Sequence, residues 1–121
     1  MLILTRPEEG DVLEQYLSVS DEVVSSVLIN EVDRVQRPIY YVSKVLQGAE
    51  TRYPEMEKLA YALIIAAQML CPYFQAHTVI VLTDKPLRQV LLKPEVSGRL
   101  TKWAIKLSEY DLSRFHSRMH I

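Results

Sequence analysis

This chain of 121 residues contains one cysteine and three glycines, and its formal net charge is close to zero. Its one cysteine, Cys71, lies at the apolar end of a helical pattern and has no second cysteine for an internal disulfide. We therefore interpret it as a reduced core thiol and expect an intracellular protein, whose compartment the sequence leaves open. The formal net charge of -1 gives no support for nonspecific nucleic-acid binding, which would need a local basic face.

Long apolar runs are also missing, and the first residues, MLILTRPEEG, turn from apolar to charged within a few positions. This pattern predicts neither a signal peptide nor a membrane span, so no membrane partner is expected. The hydrophobic content of 49% and charged content of 24% are typical of a globular protein. We predict one domain over residues 1–121, with an irregular lead-in over 1–12 and a tail over 116–121.

Three segments rich in β-branched and aromatic residues follow the lead-in and predict strands. They run over 13–20, 23–29 and 37–44, with short polar turns between them. An antiparallel meander is the simplest arrangement of three strands joined so closely. Because proline cannot donate to a ladder, Pro38 is expected at the first position of its strand or on an edge.

The longest pattern in the chain is a helix over 53–71. Its apolar residues recur at intervals of three and four and define one buried stripe: Met56, Leu59, Ala60, Leu63, Ile64, Ala67 and Leu70. Pro54 suits the first turn, and Pro72 is expected to end the helix. Glu57 lies at the edge of the stripe, either as a solvated first-turn acid or as a buried ligand.

The second half of the chain alternates strand and helix. A continuous apolar segment over 78–84 predicts a buried strand, parallel to a neighbour, that ends at Asp84. A short helix over 85–92 and a last helix over 98–110 follow, and another strand begins at Leu112. The fold class is therefore α/β, with a mixed sheet flanked by helices.

Charged groups offer two candidate sites. Glu57 and Asp84 form the first, because ligands of open α/β sheets collect at the carboxyl ends of strands; the alternative is that Asp84 only caps a turn. Arg99, Lys102 and Lys106 share one face of the last helix and form the second, as contacts for a phosphate backbone or as a solvated face.

Five segments, in order, resemble the ribonuclease-H-like domain that follows reverse transcriptase in gypsy-type retrotransposon polyproteins, and plant elements most of all. They read YLSVSDEVVSSVL, PIYYVSKVL, AETRYPEMEKLAYAL, VLTDKPLRQVL and SGRLTKWAIKLSEYD, and the resemblance covers residues 2–114. It implies a five-stranded mixed sheet flanked by helices, truncated here at the last strand. It also implies two kinds of partner, namely reverse transcriptase with its neighbouring polyprotein domains and an RNA/DNA hybrid.

Nucleases of that family are hydrolases that cut the RNA strand of a hybrid with two divalent metals, Mg²⁺ or Mn²⁺. Clustered carboxylates are needed because two dications repel each other until oxygen anions neutralise them. The resemblance places Glu57 at the acid of the first helix and Asp84 at the acid that ends the fourth strand. Lys85 falls where active relatives often carry histidine.

The first-strand acid of the family is missing, because the resemblance places Ser18 at its position. Asp21 is the nearest acid, but three residues along a strand span about 10 Å and turn the side chain to the opposite face. The fourth acid has no match either, and Asp111 belongs to the turn before it. We therefore predict an impaired nuclease that serves as a connecting or tethering module of the polyprotein. The alternative is an active Mg²⁺-dependent ribonuclease H that uses Glu57 and Asp84.

Overall fold

A computed structural model describes residues 5–83, 85 and 98–107 of the chain. Its elements are β1 (Leu13–Val19), β2 (Val23–Val32), β3 (Val35–Val45), a 3₁₀ helix (Gly48–Arg52), α1 (Glu55–Met69), α2 (Cys71–Ala76), β4 (Val79–Leu82) and α3 (Gly98–Leu107). Within this part of the chain, no helix is long and apolar enough to cross a membrane.

The strands form one mixed sheet in the order β3-β2-β1-β4. β1 pairs with β2 and β2 with β3 in antiparallel fashion, which confirms the meander, and β4 pairs parallel to β1, as expected for a strand after a crossover helix. The predicted sheet had five strands, whereas the described one has four. The strand predicted to begin at Leu112 and the helix predicted over 85–92 lie outside the described residues, apart from Lys85.

The β2–β3 hairpin contains a two-residue turn and a β-bulge. Asp33 and Arg34 both have positive φ angles, 54° and 67°, as a two-residue hairpin turn requires. Farther along, Leu28 pairs with Tyr40 while Ile29 pairs with Pro38, so Ile39 is the extra residue of a bulge. Pro38 lies on a strand at the end of the described sheet, as predicted, where its missing amide hydrogen costs no ladder bond.

The apolar stripe of α1 packs on the sheet. Leu59, Ala60, Leu63, Ile64, Ala67 and Leu70 are buried in one cluster, and Met56 packs against it from a half-buried position. Strand residues such as Leu13 and Leu28 complete the cluster, so α1 covers the centre of the sheet. Pro72 lies in the first turn of α2 instead of stopping a single helix, because α1 has already ended at Met69.

A polar network ties the edge of the sheet to α1. Tyr61 of α1 donates a hydrogen bond to the Glu50 carboxylate at 2.7 Å, and Lys44 of β3 donates to Tyr61 and to Glu50. The tyrosine hydrogen bond holds the pKa of Glu50 below its usual value and raises the pKa of Lys44. Both groups therefore stay charged at neutral pH, and the network attaches the middle of α1 to β3.

One side chain breaks the apolar pattern of the core. Gln15 of β1 is 0% exposed, and neither polar atom of its amide has a hydrogen-bond partner among the residues that the structure describes. Its cross-strand neighbours, Leu28 on β2 and Val81 on β4, are apolar and fully buried. An unsatisfied buried amide costs free energy that an aliphatic side chain of similar size avoids.

Replacement of Gln15 by leucine should therefore raise the free energy of unfolding by about 1–3 kcal/mol, because the desolvation cost of the amide disappears. Urea denaturation followed by circular dichroism measures the change. The matched control is Leu28→Gln at the opposite position, which should destabilise the protein. A lower stability for Gln15→Leu would show that the amide has a partner in solution.

Candidate active site

A cavity of about 500 Å³ lies where the carboxyl ends of β1 and β4 meet. Because these strands are parallel, both ends reach the same edge of the sheet, the usual position of a site in α/β folds. The described residues that line it are Tyr16, Leu17, Ser18, Val19, Glu55, Leu59, Leu82, Thr83 and Lys85. Asp84, predicted to be a metal ligand here, lies outside the described residues, between Thr83 and Lys85.

Ser18 lies at this edge of the sheet and lines the cavity. Ser18 is exposed near the end of β1 and pairs with Ser25 of β2 in the antiparallel ladder. That Ser18 replaces the first aspartate of the nuclease pattern stays a prediction of the resemblance. The side chain carries no charge to set against a dication.

Helix α1 presents Glu55 and Leu59 to the cavity. Residues four apart lie on the same side of a helix, one turn above each other, whereas residues two apart do not. Glu57 lies between these two residues in sequence and is rotated away from the side that they share. The position of α1 that accompanies Ser18 in the cavity wall is therefore occupied by an aliphatic side chain, Leu59.

Glu57 is committed to another contact. Its Oε1 accepts a hydrogen bond from Nε of Arg99 at 2.6 Å, with 10% of the glutamate side chain and 49% of the arginine side chain exposed. The pair joins the first turn of α1 to the first turn of α3. The role of Glu57 as a metal ligand stays a prediction, and this placement does not favour it.

Three aromatic rings surround this ion pair. Trp103 of α3 stacks on Tyr61 with ring centres 5.5 Å apart, and Tyr53 meets both rings edge-on at 6.0 Å and 6.2 Å. The guanidinium of Arg99 lies over the Tyr53 ring, 4.2 Å from its centre. Trp103 is half-buried and packs against the core cluster from its edge.

The basic residues of α3 are consequently divided. Arg99 is held between Glu57 and Tyr53, whereas Lys102 and Lys106 are exposed. The predicted shared face is thus reduced to two lysines one turn apart. They form what we call the α3 lysine pair.

A second ion pair lies at the cavity itself. Nζ of Lys85 is 3.3 Å from Oε1 of Glu55, with 43% and 55% of the two side chains exposed. The amide of Lys85 donates to Oγ1 of Thr83 at 3.3 Å, which holds the lysine close to the end of β4. Glu55 was not among the predicted site residues, although its spacing of four from Leu59 is the signal that places both on one side of α1.

A second lysine, three residues after Glu55, also holds α1 in place. Lys58 is buried, and its Nζ donates to the carbonyl oxygens of Ser20 and Asp21 at 3.4 Å and 3.2 Å. These bonds attach α1 to the β1–β2 turn. They also account for Asp21, whose backbone is part of that turn instead of the cavity lining.

These side chains do not fit a centre for two divalent metals. In the described parts of the chain, no three histidine, cysteine, aspartate or glutamate side chains come close enough to hold an ion. Of the described cavity residues, Glu55 alone has a carboxylate, and it is paired with Lys85. Hard dications need several oxygen ligands with negative charge, and the described part of this wall supplies one carboxylate.

Comparisons with known proteins agree with this fold. Residues 13–110 match the model of the family described as the RNase H-like domain found in reverse transcriptase. A retrovirus-related Pol polyprotein from transposon opus of Drosophila melanogaster is 31% identical over 94 residues, covering 76% of this chain and 9% of that protein. The Pol polyprotein from transposon 297 of the same organism is 30% identical over 75 residues, covering 61% and 7%.

Among solved structures, a foamy viral protease-reverse transcriptase in complex with double-stranded DNA superimposes with a TM-score of 0.76. The identity is 20%, and the match covers 98% of this chain and 21% of the viral one, so it shows a shared fold alone. The chain spans less than a tenth of the length of the Drosophila polyproteins it matches. With the family model matched over most of its length, the chain belongs to the RNase H-like domains found in the reverse transcriptases of retrotransposon and retroviral Pol polyproteins.

Proposed function

We propose that this domain is a connecting module of a retrotransposon Pol polyprotein whose own nuclease activity is impaired or lost. From the resemblance of the five sequence blocks, we also propose that the element is of the gypsy type and of its plant group. The observation that carries the proposal is the cavity wall, to which β1 contributes Ser18 and α1 contributes Leu59. Nuclease chemistry would need carboxylates there.

Charge balance supports this conclusion. Two divalent ions bring four positive charges, and the described cavity residues bring one negative charge from Glu55 and one positive charge from Lys85. Even with Glu57 and Asp84 both as ligands, two negative charges would face four positive ones. A single weakly held Mg²⁺ or Mn²⁺ is the most that such a set supports.

The partners proposed for the module follow from its relatives. The matched proteins are Pol polyproteins in which a domain of this size is a small part, so its neighbours in the chain are reverse transcriptase and the other polyprotein domains. Foamy viral relatives are solved with double-stranded DNA and with an RNA/DNA hybrid. We extend hybrid contact to this chain, and we propose that residues 1–121 are one domain that acts inside the cell.

Purified protein should not cleave the RNA strand of a labelled RNA/DNA hybrid above background in Mg²⁺ or in Mn²⁺, because the cavity lacks the carboxylates that hold two metals. Gel analysis of the labelled RNA measures cleavage, with an active metal-dependent ribonuclease H as the positive control. Asp84→Asn should leave the result unchanged. Cleavage by the wild-type protein that Asp84→Asn abolishes would establish the alternative, an active ribonuclease H that uses Glu57 and Asp84.

The α3 lysine pair is the proposed contact for the hybrid. Lys102 and Lys106 are exposed and one turn apart, so both ammonium groups reach the same stretch of a phosphate backbone. Arg99 contributes to this surface only by holding α3 in place, because its guanidinium is bound to Glu57 and lies over the Tyr53 ring. The Glu57 contact thus orients α3 and, through it, the lysines.

Replacement of both Lys102 and Lys106 by alanine should weaken hybrid binding and lower the slope of log affinity against log salt by about one per lysine, because fewer counterions are released. Fluorescence anisotropy across a salt series measures both quantities. The charge-matched control replaces Arg34 and Arg37, which are exposed on the β2–β3 hairpin. An unchanged slope in the lysine variant, or an equal fall in the control, would refute the assignment.

A further inference from the structure

The ion pair of Lys85 with Glu55 lies in the wall of the cavity at the carboxyl ends of β1 and β4. The two residues come from different elements, Glu55 from the first turn of α1 and Lys85 from the segment that follows β4. Both line the cavity, and Nζ and Oε1 are 3.3 Å apart. The ammonium is therefore paired with the one carboxylate that the described cavity residues provide.

The other described residues of the cavity lining carry no charge, so this pair determines the electrostatics of the lining. Leu17, Leu59 and Leu82 are apolar, and Ser18 and Thr83 supply hydroxyl groups without charge. A dication entering the cavity would meet the positive charge of Lys85 and would compete with it for Glu55. Both side chains are about half exposed, but these effects act at separations of a few ångströms, which is less than the Debye length of about 10 Å at 0.1 M salt, so screening weakens them without removing them.

A lysine suits this role better than an arginine. Its ammonium is a compact point charge with three donors on a flexible stem, so it can occupy a small oxygen-lined space much as a metal ion does. The hydrogen bond from the Lys85 amide to Thr83 keeps the start of that stem at the cavity. Because the ammonium is covalently attached to the chain, its concentration at the cavity does not depend on the composition of the solution.

We propose that Lys85 is a built-in cation of the cavity, with Glu55 as its counterion, and that it excludes divalent metal ions from this position. The inference rests on the proposed loss of nuclease activity and names what neutralises Glu55 without a metal ion. Ser18 and Leu59 provide no carboxylate for a metal ion, and Lys85 adds a positive charge that competes with the metal ion for Glu55. Restoring a carboxylate alone would then be insufficient for metal binding.

The test compares Mn²⁺ affinity in a background that has one carboxylate restored. Ser18→Asp provides it, because Ser18 is exposed, lines the cavity and has room for a larger polar side chain. Electron paramagnetic resonance of unbound Mn²⁺ gives the dissociation constant for Ser18→Asp, for Ser18→Asp with Lys85→Gln, and for Ser18→Asp with Lys102→Gln. The last variant removes an equal charge from α3, away from the cavity lining.

Addition of Lys85→Gln should tighten Mn²⁺ binding by at least about tenfold over Ser18→Asp alone, whereas Lys102→Gln should change it less than about twofold. Glu55→Gln, added to the Lys85→Gln variant, should reverse the gain. An unchanged dissociation constant after Lys85→Gln, or an equal gain from Lys102→Gln, would overturn the proposal.

The wild-type protein separates this inference from the proposed function. Tight Mn²⁺ binding and hybrid cleavage by the wild type would refute the proposed loss of activity. An inert wild type, together with no effect of Lys85→Gln, would refute the built-in cation alone. Thermal melting verifies that each variant folds. Should Ser18→Asp not fold, Mn²⁺ broadening of the Thr83 amide resonance in Lys85→Gln, and not in the wild type, supports the proposal; equal broadening in both overturns it.

Discussion

Burial of one apolar stripe against β1 and β2 fixes the rotation of α1, and this rotation determines which side chains the helix presents to the cavity. Leu63 and Ala67 are fully buried in the central cluster, so the helix cannot turn without exposing them. Lys58 adds hydrogen bonds to the β1–β2 turn, which resist the same rotation. With the stripe inward, Glu55 and Leu59 line the cavity and Glu57 pairs with α3.

Both acids in the first turn of α1 are thereby neutralised by cations that lie far along the chain. Glu57 pairs with Arg99, and Glu55 pairs with Lys85. The first pair is mostly buried on the glutamate side and supports α3, with aromatic packing from Tyr53 and Trp103 around it. The second pair is half-exposed and stabilises the fold little, so its main effect is on the charge inside the cavity.

Much of this fold could be predicted from local patterns, because periodicity reports which side chains share a face. The meander, the parallel β4, the edge position of Pro38 and the buried stripe all follow from that information. The orientation of Glu57 did not, because a role taken from the order of acids in a motif ignores the phase of each residue on the helix, and Glu55 lies two residues away. The Arg99 and Lys85 pairs join residues 42 and 30 positions apart, so no local pattern indicates them.

The central claim is that this RNase H-like cavity lacks a working metal centre. A crystal structure after a soak in Mn²⁺ tests it directly, because anomalous scattering locates the ion without assumptions about ligands. We expect no anomalous peak in the cavity, with the ammonium of Lys85 still on Glu55. Two peaks roughly 4 Å apart, held by Asp84 and Glu57, would contradict the account.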